Sequence, residues 1–238
     1  IEANRPRDDA LERMATETLG RHPLAIVIAG QILRRTDLSV DTLAGRFAER
    51  LADAPEGRDY AKSLWAVVEE SADRLGPDAG ALLDLAAVMA PEDVHPDYLA
   101  AGAEAIAERG WKPLPEPLAG LAADELRRAE AFAELRGQSL VTEGAWQGPG
   151  GREEPTNLIH RLTQLVLRDR MGEAALARHV GLAARLGTAQ FSDRVQFDID
   201  SWPRYHRLAA QALALAPLAG RAAAPDRERA AGFVHQAA

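Results

Sequence analysis

The sequence predicts a mainly α-helical protein that carries one β-hairpin. Alanine and leucine supply most of the 47% apolar content, whereas aromatic residues make up only 5% of the 238 residues. This bias favours helices over sheets. Apolar residues recur at helical spacing along most of the chain. Only residues 139–159 have the character of two short strands, separated by a turn rich in Gly and Pro.

The first part, residues 1–58, is predicted to be a small helical subdomain. One helix ends at Gly20, a natural stop signal, and the next begins at Pro23, where a missing N–H costs nothing. Apolar residues surround most of the circumference of this second helix, so we expect it to be buried. A third helix follows Ser39.

The middle part, residues 59–172, is predicted to be a winged helix, that is, helices followed by a hairpin. The segment from 110 to 120 holds three prolines and is expected to be an irregular loop. The helix after it is expected to turn five residues inward: Leu126, Ala129, Phe132, Ala133 and Leu135. Residues 173–238 are predicted to be helical and to begin a repeat region, although no clean internal repeat is visible.

Composition and motifs exclude several classes of function. The formal net charge of −8 gives no general attraction to phosphate backbones or anionic lipid. The absence of cysteine excludes disulfides and thiolate sites, and it fits a reducing cytoplasm. No apolar run approaches the ~20 residues that span a bilayer, so no membrane partner is expected. The first residue is not methionine, which suggests a fragment.

No catalytic constellation is visible. A phosphate-binding GxxxxGK[ST] loop and an acidic strand end are both missing, so ATP hydrolysis by this chain alone is not expected. Glu69 and Glu70 are adjacent in a predicted helix and do not face each other. We therefore predict that the chain is not an enzyme on its own, with neither catalytic residues nor metal ligands.

Three stretches, in this order, resemble the C-terminal part of the NB-ARC module of STAND NTPases, in particular bacterial members with tetratricopeptide repeats. LGRHPLAIVIAGQIL (19–33) is similar to the GLPLA motif of the helical subdomain. The stretch from SLWAVVEES to HPDYL (63–99) is similar to the opening helices of the winged helix. SLVTEGAW and TNLIHRLTQLVLRDRM, within 139–171, resemble its hairpin and MHD-type motif, and residues 202–215 resemble the start of the repeats.

The resemblance implies two nucleotide-binding residues. Pro23 would pack against the adenine, and His160 would contact the β-phosphate of ADP and help to hold the resting state. Arg21 and His22 stand where the first motif has glycine and leucine. Ile159 and Arg161 replace the methionine and aspartate beside His160. The implied cofactor is ADP or ATP, with Mg²⁺ in the parent protein, bound mainly by an upstream nucleotide-binding domain of the same protein.

The expected function is therefore nucleotide sensing in a cytoplasmic STAND ATPase of bacterial signalling or defence. The segment would close over ADP and couple the nucleotide state to C-terminal repeats that bind a protein or a small ligand. The activated protein is expected to oligomerise.

Two alternatives stay open, a DNA-binding winged-helix regulator and a helical-repeat scaffold for protein partners. The candidate recognition helix, 122–137, has four acidic and three basic residues, and the wing sets Arg152 against Glu153 and Glu154. Nucleic acid is therefore not an expected partner.

Overall fold

The computed structural model describes residues 9–58, 60–147, 151, 153–191 and 202–237. These residues form eleven α-helices and one two-stranded antiparallel sheet, which confirms the predicted mainly α fold with one hairpin. Within them, no helix is long and apolar enough to cross a membrane. Contacts divide the chain into two compact units, Ile1–Leu75 with Gly137–Leu140 and Gly76–Arg136 with Val141–Ala238.

The first unit is built from four helices. They are α1 (Asp9–Arg13), which continues into a π-helical turn (Met14–Thr18), α2 (Pro23–Arg35), α3 (Val40–Ala52) and α4 (Lys62–Ala72). Ser39 begins α3 because its Oγ accepts the Thr42 N–H at 3.1 Å. Helix α4 packs against both α2 and α3. The core between them is apolar and fully buried: Ile28, Ile32, Leu43, Phe47, Leu64 and Val67.

An ion-pair network joins α3 to α4. The Glu70 side chain is 3% exposed and lies 3.0 Å from Arg46, 2.9 Å from Arg50 and 2.6 Å from Arg74. Burial alone would raise the pKa of Glu70, but hydrogen bonds from Arg50 and Arg46 and the charge of Arg74 outweigh it and lower that pKa. The network therefore holds Glu70 ionised at the contact between the two helices.

The expectation that α2 is a buried helix holds for one of its faces only. Ala25, Ile28 and Ile32 are fully buried, but Ile26 is 38% exposed and Val27 is 55% exposed. The helix packs along one face against α4. Its apolar residues outnumber the positions on that face, so those on the other side lie at the surface.

The second unit contains seven helices and the hairpin. In chain order they are α5 (Pro77–Ala86), α6 (Pro96–Glu108), α7 (Leu118–Ala123), α8 (Glu125–Gly137), β1 (Thr142–Gln147), β2 (Glu153–Leu158), α9 (Arg161–Gln190), α10 (Trp202–Leu215), a 3₁₀ turn (Ala216–Arg221) and α11 (Ala224–Ala237). The strands pair with Thr142 opposite Leu158 and Gln147 opposite Glu153. Helix α7 begins inside the segment predicted as a loop, because Leu118 and Leu121 are buried.

The hairpin is bonded to the segment between α5 and α6. Val94 N–H donates to the Asn157 carbonyl at 2.8 Å, and Ile159 N–H donates to the Pro91 carbonyl at 2.9 Å. The order is therefore helix, extended segment, helices and hairpin, and the winged helix stays a prediction. Helix α9 then packs against α5, α6, α10 and α11. It is interrupted at Gly172, whose φ of 70° and ψ of 167° are open only to glycine.

The predicted inward face of α8 is partly wrong. Leu126 is 68% exposed, and Ala129 and Ala133 are also exposed. Phe132 and Leu135 are buried as expected, but Arg128 joins them because its Nη1 donates to the Leu121 carbonyl at 2.8 Å. The buried face of α8 therefore includes Arg128, whereas the pattern of apolar residues predicted that Ala129 and Ala133 would lie there.

The contact-based units and the predicted domain boundaries fall at different residues. Helix α4 belongs to the first unit, beyond the boundary predicted after residue 58. The boundary predicted after residue 172 coincides with the interruption of α9, but both sides of it belong to the second unit. The division into 1–58, 59–172 and 173–238 stays a prediction.

Candidate functional site

Pro23 stands at the exposed start of α2. Gly20 and Arg21 both adopt left-handed backbone, with φ of 59° and 58°, and turn the chain into the helix. His22 caps the helix, since its Nδ1 accepts the Ala25 N–H at 3.4 Å. Pro23 is the first helical residue and is exposed. With Ile26 and Val27, one turn further on, it forms an exposed apolar surface that we call the Pro23 face.

His160 stands between β2 and the first turn of α9. It is exposed, and its Nδ1 accepts the Leu162 N–H at 3.1 Å. In the neutral ring the proton then lies on Nε2, which can donate to an anion near the positive end of the helix. Ile159 is 3% exposed, and Arg161 pairs with Glu92 at 2.5 Å. His160 and Arg161 therefore both have donors that could bond a phosphate oxygen, whereas the buried Ile159 has none in its side chain.

Pro23 belongs to the first unit and His160 to the second, and each is described within its own unit. That both contact one nucleotide stays a prediction. Among the described residues, no group of three or more His, Asp or Glu side chains could hold a metal ion.

A cleft in the second unit was not predicted from the sequence. It has a volume of about 380 Å³ and lies between the hairpin, the start of α6 and α10. We call it the hairpin cleft. Its lining includes acidic, basic and aromatic side chains: Asp93, His95, Asp97, Tyr98, Trp146, Glu154, Arg204 and Arg207. These residues come from four segments far apart in the chain, so no local motif could have indicated the cleft.

Arg207 connects α10 to the hairpin across this cleft. Its guanidinium carbon lies 4.3 Å from the centre of the Trp146 ring, and its Nη1 lies 3.0 Å from Glu154. Its Nε is 3.4 Å from Asp93 Oδ2. The Asp93 side chain is only 2% exposed, and its Oδ1 accepts the Thr156 hydroxyl at 2.7 Å. One guanidinium thus faces two carboxylates and an aromatic ring.

His95 begins α6 at the edge of the hairpin cleft. Its Nδ1 accepts the Asp97 N–H at 3.2 Å. Burial lowers the pKa of His95, and the charge of Arg207 lowers it further, while Asp97, Asp93 and Glu154 act in the opposite direction. The ring is therefore neutral at neutral pH, the form in which Nδ1 can accept the helix-capping bond.

The candidate recognition helix uses its three arginines within the protein. Arg127 holds both carboxylate oxygens of Asp78, at 2.5 and 2.7 Å. Arg128 is buried against backbone carbonyls, and Arg136 donates to Asn157 Oδ1 at 2.9 Å. Arg152, the basic residue of the predicted wing, lies outside the described residues.

No protein-family model, curated protein or solved structure matches the chain.

Proposed function

We propose that this chain is the regulatory, nucleotide-sensing segment of a STAND-type (NB-ARC-like) signalling ATPase. The observation that carries the proposal is the geometry of Pro23, exposed at the first turn of α2 and flanked by the exposed apolar side chains of Ile26 and Val27. A flat proline ring in an apolar surface is suited to pack against the face of a nucleotide base.

The backbone before Pro23 supports the same proposal. Arg21 has a φ of 58°, a conformation that costs an L-residue roughly 1–2 kcal/mol and that glycine adopts freely. This is the position at which the resembled motif has glycine. The turn therefore has the shape that the motif would require, although its residue differs.

The Pro23 face also offers apolar surface to a partner. Apolar surface left in water forgoes roughly 25 cal/mol for each Å² that could be buried. We propose that an upstream nucleotide-binding domain of the same protein covers Ile26 and Val27, and that the adenine of ADP or ATP lies beside Pro23. The Mg²⁺ and the phosphate cradle would belong to that domain.

His160 would bind a phosphate group and so distinguish ADP from ATP. Its Nε2–H donor lies beside the N-terminus of α9, where partial positive charge favours an anion. A contact with the β-phosphate of ADP would hold the second unit in the resting state, and exchange for ATP would release it. A switch requires a contact that is made with one nucleotide and lost with the other, because only such a difference can shift the balance between two states.

The remaining parts of the proposal concern partners. Helices α10 and α11 would belong to a C-terminal sensor region that binds a protein or a small ligand, and the activated protein would oligomerise in the cytoplasm of a bacterium. The DNA-binding alternative is not favoured, because Arg127, Arg128 and Arg136 are bonded within the chain and duplex binding needs basic side chains directed outward.

The coding sequence upstream of Ile1 tests the family directly. We expect a GxxxxGK[ST] loop about 150–200 residues upstream, one domain length away. We also expect that the chain alone releases no phosphate from ATP in a colorimetric turnover assay. The proposal would be contradicted by an upstream region without such a loop. It would also be contradicted if the chain alone still hydrolysed ATP after repeated purification.

A further inference from the structure

The hairpin cleft has the size and walls of a small-molecule site. Its volume of about 380 Å³ lies within the range of roughly 300–1,000 Å³ that ligand pockets occupy. Ala101, Pro203 and Leu208 supply apolar wall. The Tyr98 hydroxyl is bonded to the Ala183 carbonyl at 2.8 Å, so Tyr98 contributes ring and not hydroxyl to the cleft. Charged groups lie around these apolar walls.

The charges of the cleft favour a cation. Three carboxylates line it (Asp93, Asp97 and Glu154), against the two guanidinium groups of Arg204 and Arg207. Arg207 forms ion pairs with Glu154 and Asp93, and three buried atoms of this group have no hydrogen-bond partner: Asp93 Oδ2, Arg207 Nε, which lies 3.4 Å from it, and Arg207 Nη2. The neutral ring of His95 adds no positive charge. An anion would face an excess of carboxylates, whereas a cation would be attracted to them.

Asp97 is the carboxylate best placed to receive such a ligand. It lies in the first turn of α6 and is exposed. Ala101, one turn further along α6, also lines the cleft, so a ligand beside Asp97 would lie over a small side chain. The face of Trp146, by contrast, is already covered by Arg207.

We propose that the hairpin cleft binds a small organic cation, a primary amine carried on a compact apolar body. The ammonium group lies between Asp97 and Glu154, and the body packs over Ala101 towards Leu208. This site does not rest on the nucleotide proposal, because none of its residues is Pro23 or His160. Its occupant would touch β2, α6 and α10 together and would stabilise their packing.

The test uses the full chain labelled with ¹⁵N and three probes of similar size. At pH 7, 2-phenylethylamine is cationic, 2-phenylethanol is neutral and 3-phenylpropionate is anionic. Binding is followed by the indole N–H resonance of Trp146, which is assigned by its loss in Trp146→Phe. We expect saturable binding of the amine, at least about tenfold weaker binding of the alcohol and no binding of the carboxylate, since one charge-assisted hydrogen bond corresponds to about tenfold in affinity.

Two pairs of variants locate the site. Asp97→Asn should weaken amine binding about tenfold, and its control Glu108→Gln, which removes a charge from the end of the same helix, should change it less than twofold. Ala101→Phe should abolish binding by filling the cleft. Its control Ala107→Phe adds the same ring to the neighbouring cleft along α6 and should leave binding intact.

Several results would overturn the proposal: no saturation by the amine, equal binding of amine and alcohol, or unchanged affinity in Asp97→Asn. If Ala101→Phe does not fold, as judged by circular dichroism, the Asp97→Asn comparison decides alone. Because these titrations contain no nucleotide, their failure leaves the nucleotide-sensing proposal standing, and their success does not support it.

Discussion

Histidines begin three helices of this protein in the same way. His22, His95 and His160 each accept a backbone N–H through Nδ1 at the start of α2, α6 and α9. The bond requires a neutral Nδ1 and places the ring proton on Nε2. Capping a helix and donating to a ligand therefore use different atoms of the ring, and one histidine can do both.

His95 predicts a pH dependence of stability. Burial and Arg207 lower its pKa in the folded protein, so the unfolded chain binds the proton first as the pH falls. This contribution to stability is complete above the ordinary histidine pKa of about 6.5 and is lost as the pH falls below that value towards the folded pKa. We expect His95→Asn, which keeps a capping side chain but does not titrate, to flatten the fall in urea midpoint between pH 7.5 and pH 5.5.

The control for this prediction is His206→Asn, at an exposed position of α10. It should leave the difference between the two midpoints as in the unmodified chain. If His95→Asn loses as much stability on acidification as the unmodified chain does, the titration of His95 is not the cause.

The left-handed backbone at Arg21 leads us to predict that replacing this residue by glycine stabilises the protein. Because its φ of 58° disfavours an L-residue, Arg21→Gly should raise the free energy of unfolding by up to about 1 kcal/mol, after the greater entropy of glycine in the unfolded chain is deducted. Arg34→Gly, in the last turn of α2, should instead lower it by roughly 0.5–1 kcal/mol. Urea unfolding measures the two changes in the free energy of unfolding, which should have opposite signs. A loss of stability in Arg21→Gly would contradict the claim that the backbone at Arg21 is strained.

At the level of elements, glycines of α6 and α9 allow close helix packing. A Cβ added at Gly187 of α9 would lie 2.2 Å from the Phe233 ring of α11, and one at Gly102 of α6 would lie 2.6 Å from Leu186 of α9. Helices α6 and α11 thus approach α9 at positions without side chains. The interruption at Gly172 separates this packed portion from the first turns of α9.

Gly187→Ala should therefore destabilise the second unit by about 1–3 kcal/mol, because Phe233 must move from a packed position. Gly80→Ala provides the matched control, since Gly80 lies in α5 with nothing within 4 Å of an added Cβ. That variant should be more stable by roughly 0.5–1 kcal/mol. Thermal unfolding compares the two, and equal effects of both substitutions would show that the α9–α11 contact is loose.

The elements themselves could be predicted well from local signals. Pro23 and Ser39 mark the starts of α2 and α3 where they were expected. The hairpin was also expected, but β2 begins at Glu153, inside the stretch 147–155 that was expected to be the turn. What could not be predicted is which side of each helix is covered. Val27 is exposed although it is apolar, and Arg128 is buried because it donates to the carbonyls of Leu121 and Ala122 in the preceding helix. Apolar periodicity carries no information about either outcome.

At the level of the whole molecule, function could be predicted only as far as the resemblance reaches. Pro23 and His160 were selected by motif, and both are exposed at helix starts. The hairpin cleft was missed because Asp93, Trp146 and Arg207 are brought together only by tertiary packing. A sequence with no motif at these positions gives no reason to connect them.

The central claim is that Pro23 and His160 sense the nucleotide, and the dissociation rate of ADP tests it most directly. The measurement uses the protein that contains this chain together with its nucleotide-binding domain, loaded with fluorescent ADP and chased with unlabelled ADP. His160→Ala should release ADP about tenfold faster, the equivalent of one charge-assisted hydrogen bond, and should leave release of an ATP analogue unchanged. Pro23→Ser should accelerate the release of both nucleotides, and His206→Ala should alter neither. Unchanged ADP release in both His160→Ala and Pro23→Ser would contradict the account.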